Sequence, residues 1–180
     1  MQCYSVISRW RSFFNAGLVE KEEMDMPAGQ LVFLDTEFTS FKSPSLISIG
    51  LAASSGEELY VEVPFSMGLV SPFVHDVVIP LLKRDPQAYC TIPQLHTRVR
   101  NWLTVVKTSP EVELCFDSQY DENLFRDIFD GYPPGFILFR NVDRNINEFL
   151  RHEFHMKTAL PEHHALNDAR AMRYAFREYL

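Results

Sequence analysis

The stretch Leu31-Val32-Phe33-Leu34-Asp35-Thr36-Glu37-Phe38 decides the fold class, because four large apolar residues run directly into two carboxylates one residue apart. With Gly29 upstream and Thr39-Ser40 downstream, the apolar run has the length and the flanking signals of an interior strand. Side chains alternate faces along a strand, so Asp35 and Glu37 project to the same side, roughly 6 to 7 Å apart. Two carboxylates on one face of a buried strand repel each other and are costly to desolvate, which calls for a compensating cation. A hard divalent ion bound by oxygen suits that chemistry. An ordinary strand end, with Asp35 capping a turn and Glu37 in solvent, would carry the same letters, so the pair takes its meaning from the rest of the chain.

At 180 residues the chain fits one domain with a substantial core. Apolar residues at 46% and charged residues at 23% are a globular composition. The three cysteines, Cys3, Cys90 and Cys115, are odd in number and widely spaced, so neither a disulfide framework nor a zinc ribbon is indicated and a reducing cytoplasm is expected. No apolar stretch approaches a membrane span, and Arg9 and Arg11 precede no long apolar core, so the expectation is a protein neither membrane-bound nor exported. The net charge of −7 argues against holding nucleic acid through a broad basic surface. A nuclease remains compatible with it, because carboxylates clustered around divalent ions are neutralised locally.

Residues 1–29 read as an N-terminal extension: one amphipathic stretch, Ile7-x-x-Trp10-x-x-Phe13-Phe14, then Glu20-Lys21-Glu22-Glu23 and the breaker Pro27-Ala28-Gly29. Met24 and Met26 are candidate natural starts. Residues 30–180 form the expected domain. Leu46–Ala53 and Leu59–Val63 flank the turn signal Ser54-Ser55-Gly56 and predict a hairpin extending the sheet. Val74, Val77, Val78, Leu81 and Leu82 mark one helical pattern, and Leu95, Val99, Trp102, Leu103 and Val106 another, with Pro80 and Pro93 restricting their ends. Val112–Phe116 predicts a fourth strand, Leu124, Phe125, Ile128 and Phe129 a helix, and Phe136–Phe139 a fifth strand. Helices are expected over about 144–155 and 165–179. Three leading antiparallel strands followed by alternating helices and strands predict an α/β mixed sheet with helices on both faces, and ligands in such sheets gather outside strand ends.

Two further segments place acidic residues where ligands would gather. Asp117-Ser118-Gln119-Tyr120-Asp121 leads from the fourth strand into a helix, and His163-His164-Ala165-Leu166-Asn167-Asp168 opens the last helix. Each also suits plain helix capping: Asp117 or Ser118 in one, Asn167 or Asp168 in the other. Taken in order, Asp-x-Glu, an Asp after the fourth strand and His-x4-Asp near the C-terminus resemble the three motifs of the DEDDh 3′-to-5′ exonucleases, which include oligoribonucleases, RNase T and polymerase proofreading subunits. The resemblance covers about residues 31–180. Leu34-Asp35-Thr36-Glu37, Leu46-Ile47-Ser48-Ile49-Gly50 and His163-x-Ala165-Leu166-x-Asp168-Ala169 carry it most closely.

The resemblance implies an RNase H-like sheet, Asp35, Glu37, Asp121 and Asp168 as ligands of two Mg2+ or Mn2+ ions, and His163 as the general base. Spacing to Asp168 favours His163 over its neighbour His164. The family commonly carries Asn four residues before its second-motif Asp; Asp117 stands there in this chain, with substrate or a metal-bound water as its expected partner. Two divalent ions about 3.5 to 4 Å apart stabilise the attacking and leaving oxygens of phosphodiester hydrolysis, and a neutral imidazole near pH 7 removes the water's proton. An all-oxygen site suits magnesium or manganese better than zinc. Compact bacterial and phage exoribonucleases of the superfamily look most similar overall, which implies single-stranded RNA rather than DNA as substrate, and a homodimer. Backbone at Thr36 and Phe38 is expected to meet the terminal sugar, and Phe38, Phe65 and Tyr120 are candidates for stacking on bases. A DNA exonuclease or proofreading-type subunit is the alternative enzyme. A binding protein without turnover, and a zinc site built from His152, His155, His163 and His164, are the alternatives of other classes.

Overall fold

The computed structural model describes residues 30–179, so the expected extension over residues 1–29 lies outside the described residues. Five strands form one mixed sheet in the order β3-β2-β1-β4-β5. They are β1 (Gln30–Phe38), β2 (Leu46–Ala53), β3 (Glu58–Glu62), β4 (Val112–Phe116) and β5 (Ile137–Asn141). The first three pair antiparallel, while β4 joins β1, and β5 joins β4, in parallel. The expected α/β sheet with three leading antiparallel strands is therefore present.

Helices α1 (Ile92–Val106), α2 (Gln119–Asp127), α3 (Glu148–Thr158) and α4 (Ala165–Ala175) complete the order. The alternation along β1 divides the core. Val32 and Leu34 face one side and join Leu95, Val99 and Leu103 of α1 and Phe125 of α2. Leu31 and Phe33 face the other and pack with Met172 and Ala175 of α4, with Leu150 of α3 against them. Helices thus cover both faces. Asp35 and Glu37 continue the Leu31/Phe33 register and arrive on the α4 side.

The approach of α4 depends on Gly50. A Cβ built on Gly50 would lie 2.3 Å from the backbone of Ala165 and Leu166, so only glycine lets the first turn of α4 sit against β2. Gly50 is also the register partner of Asp35, so this contact brings α4 beside the carboxylates of β1.

Strand ends shift by one or two residues, with β5 over Ile137–Asn141 in place of Phe136–Phe139, and three helical stretches depart further from the sequence expectation. The pattern from Val74 to Leu82 forms two single turns, Val74–Val78 and Ile79–Leu81, because Pro80 lacks the N–H a continuous helix requires. The helix expected from about residue 144 begins at Glu148, where Asn147 accepts the Leu150 N–H at 3.2 Å. The last helix ends at Ala175: Phe176 turns extended, bridges Ile146 and sets its ring 5.3 Å from that of Phe33.

Candidate functional site

The central strand outruns its parallel neighbour. Pairing of β1 with β4 stops at Phe33↔Cys115, whereas pairing with β2 continues to Phe38, with an irregularity between Glu37 and Phe38. Beyond Phe33, β1 therefore has an open edge whose backbone donors need partners. Asp121, in the first turn of α2, supplies one: its Oδ1 accepts the Thr36 N–H at 3.0 Å and the Thr36 hydroxyl at 2.6 Å. Ser118, rather than Asp117, caps α2 by accepting the Tyr120 N–H at 3.2 Å. Asp117 is drawn instead to Arg151 of α3, whose Nη1 donates to Asp117 Oδ2 at 2.5 Å. Arg151 also donates to both carboxylate oxygens of Glu148.

On the α4 side, both oxygens of Asp168 have a neighbour. Oδ2 accepts the His163 N–H at 2.8 Å, and Oδ1 lies 3.3 Å from Nε2 of His155. His163 has φ 60°, a left-handed conformation that L-residues adopt at a cost of roughly 1–2 kcal/mol, and its ring meets the edge of Phe73 at 5.0 Å. The ligand atoms fall into two groups, each within 4.8 Å of one another: Asp35, Asp117 and Asp121, and Glu37, His163 and Asp168. Three separate segments thus bring their ligand atoms together at the end of β1.

Burial and crowding raise the proton affinity of these carboxyls. Asp35 is pushed well up, first by burial and then by Asp121, Asp168, Glu37 and Asp117. Burial, with Asp168 and Asp121, pushes Glu37 up to about 8. Asp121 rises to about 7 by burial, held back by the Thr36 hydroxyl, and Asp168 to about 6 by burial, held back by His155. Such a cluster ionises fully at neutral pH only with added positive charge. Its donors are hard oxygens, the set that Mg2+ or Mn2+ prefers, so the residues fit divalent ions.

Two clefts meet at the carboxylates. One, of about 440 Å3, is polar and lies against α3, with Arg151, His152 and His155 opposite His163 and Asp168. The other, of about 640 Å3, is apolar and runs from Thr36, Glu37 and Phe38 to Phe41, Phe73 and His163. At its rim Phe38 and Tyr120 stack at 5.2 Å, and the largely exposed Phe41 packs edge-on against both.

Asp35, Glu37, Asp121, Asp168, His163 and Asp117 come together, with Thr36, Phe38 and Tyr120 beside them. Phe65 does not join them: it packs with Ile47, Val74 and Val78 under a different part of the sheet. His164 turns away from the carboxylates and stacks on Tyr60 at 4.2 Å. The four histidines make no zinc cage, since among the described residues neither ligand group unites two of them. Of the two histidines on α3, His152 is exposed and His155 is buried. Arg151, Phe41 and Phe73 escaped the sequence reading, and His155 entered it only as a candidate zinc ligand. Glu148, Arg151, His152 and His155 share one helix face by their spacing, but an all-polar face reads as solvated. Neither a scan against protein-family models nor a search of curated proteins finds a match to this chain.

Proposed function

We propose that this chain is a metal-dependent 3′-to-5′ exoribonuclease of the DEDDh type, on an RNase H-like fold, that releases nucleoside monophosphates from single-stranded RNA. The observation that carries the reading is the convergence of Asp35, Glu37, Asp121 and Asp168 with His163 at one strand end, from three motifs separated by up to 133 residues of chain (168 − 35). Sheet order supports the RNase H-like assignment: an antiparallel β1-β2-β3 unit is extended by parallel β4 and β5.

Asp35, Glu37, Asp121 and Asp168 would hold two divalent ions, Mg2+ or Mn2+. Bound there, the ions supply positive charge to the phosphoryl oxygens and acidify the attacking water. The chain's own groups do the rest. Thr36 fixes Asp121 from backbone and hydroxyl together, so that carboxylate is oriented before substrate arrives. His163, tied to Asp168 through its N–H, keeps its imidazole free to take a proton from water. The apolar cleft beside Phe38, Phe41 and Phe73 suits a terminal nucleobase, since aromatic faces stack on any base.

End-labelled RNA and DNA oligonucleotides of matched sequence, incubated with and without magnesium, test the proposal. Mononucleotides should appear from the 3′ end of RNA, only with the metal, and Asp35→Ala should abolish their release while the protein stays folded. Faster release from DNA would favour a DNA exonuclease or proofreading-type subunit. No release from either in Mg2+ or Mn2+ would leave only a binding role.

A further inference from the structure

His155 is a buried imidazole, its side chain 7% exposed, on a helix whose neighbouring polar residues face solvent or the polar cleft. Its Nδ1 lies 3.0 Å from the carbonyl oxygen of Leu160. A carbonyl only accepts, so Nδ1 carries the hydrogen of that bond. Nε2 then lies 3.3 Å from Asp168 Oδ1 as an ion-pair contact, and to engage the ionised carboxylate it must carry a hydrogen too, so the ring that holds Asp168 is the doubly protonated imidazolium.

The same short loop is tied at two more points. Asn167 Nδ2 donates to the Pro161 carbonyl at 3.0 Å, and the His163 N–H donates to Asp168 Oδ2 at 2.8 Å. These contacts close a ring that runs from His155 through Leu160 and the loop to His163, then through Asp168 and its ion pair back to His155. At either end of the loop, Ala159 with φ 55° and His163 with φ 60° hold left-handed conformations. Such residues persist where surrounding contacts over-determine them. The His155 side chain touches both the loop before His163 and the carboxylate of Asp168.

We infer that His155 is a positioning residue: it fixes the Asp168 carboxylate for metal binding and, through the Leu160 carbonyl, the loop that presents His163. The inference rests on the metal-dependent reading above. It assigns a function to a histidine outside the three motifs. Partners that hydrogen-bond a ligating carboxylate fix its orientation, and losing one costs about 10- to 100-fold in metal affinity or activity.

Two substitutions separate the two bonds. In His155→Asn the amide nitrogen falls near the place of Nδ1, so donation to Leu160 survives while Asp168 loses its partner. In His155→Gln the nitrogen falls near the place of Nε2, so the partner of Asp168 survives while Leu160 loses its donor. Mn2+ affinity of the full chain, read by titration calorimetry or from the paramagnetic signal of free Mn2+, should fall about 10- to 100-fold in His155→Asn and stay within about 3-fold of wild type in His155→Gln. Thermal melting in EDTA reports the structural part separately. Wild-type affinity in His155→Asn would overturn the inference, as would equal loss in both variants, which marks a packing role only. A wild-type protein that binds no Mn2+ would instead overturn the metal-dependent reading on which the inference stands.

Discussion

At Asp35 the structure concentrates the site's electrostatic conflict, since Asp121, Asp168, Glu37 and Asp117 all raise the cost of its ionisation on top of burial. Asparagine has nearly the same shape and no charge. In EDTA at about pH 8, Asp35→Asn should therefore melt higher than wild type, by about 2–4 °C for each kcal/mol of repulsion relieved in a chain of this size. The same variant should release no nucleotide in magnesium. Differential scanning calorimetry beside the oligonucleotide assay reads both, and a lower melting temperature in EDTA would contradict the repulsion described. Thr36 acts in the opposite sense on Asp121, because its hydroxyl favours the charged carboxylate. Thr36→Val removes that bond and leaves the N–H bond in place, at a net cost of about 1 kcal/mol. The Asp121 pKa should move above its value of about 7, and a carboxyl must lose its proton to hold a cation. The acid limb of the pH–rate profile in magnesium should thus shift to higher pH, and an unshifted limb would count against Thr36 as a determinant of the site.

Among the elements, α4 depends on the absence of a side chain at Gly50. In Gly50→Ala the new Cβ would overlap backbone at 2.3 Å, and backbone of a packed helix cannot yield as a flexible side-chain tip can. Overpacking of this kind costs about 1–3 kcal/mol, and α4 must retreat from β2 with Asp168 aboard. Urea unfolding should show the loss, and Mn2+ affinity should fall with it; unchanged values for both would mean that α4 is not seated as described. The same element shows what sequence discloses and what it hides. The apolar run at Leu31–Leu34 announces a strand because burial on both faces leaves no polar position, Val112–Phe116 does so with Glu113 as its one polar residue, and β1 and β4 appear where those runs lie. The carboxylates at Asp35, Glu37, Asp121 and Asp168 were legible because each sits at an element end, where chain order suffices to place it. His155 was not, because its burial comes from the loop folding back under α3, a contact that helical periodicity does not encode. Arg151 was hidden similarly, its partner Asp117 lying 34 residues away on another element. Phe65 misled for a different reason: an aromatic residue that suited base stacking by type alone joined a separate apolar cluster in space.

For the molecule as a whole, the shifted carboxyls set how stability answers to pH. Glu37 stands at about 8 against an ordinary 4.5, Asp121 at about 7 and Asp168 at about 6 against 3.8. Each folded-state value lies above the unfolded one, so the folded protein binds more protons than the unfolded chain between those values. The corresponding stability is fully present below about pH 4 and is lost as pH rises through about 6 to 8. Saturating magnesium reverses the slope, because a bound cation favours the ionised carboxylates and its binding releases protons. The rise in melting temperature on adding magnesium should accordingly be small at about pH 5 and largest above about pH 8. A net charge of −7 also weakens the protein as pH rises, through general surface repulsion, and salt separates the two effects. Exposed charges are screened within about 10 Å at 0.1 M salt, whereas buried ones are screened much less. Melting curves at about pH 5, 7 and 9, in EDTA or magnesium and at low or high sodium chloride, carry the test. A magnesium shift that is equal at all three pH values, or that sodium chloride reproduces, would place the destabilising charge on the surface rather than at the end of β1.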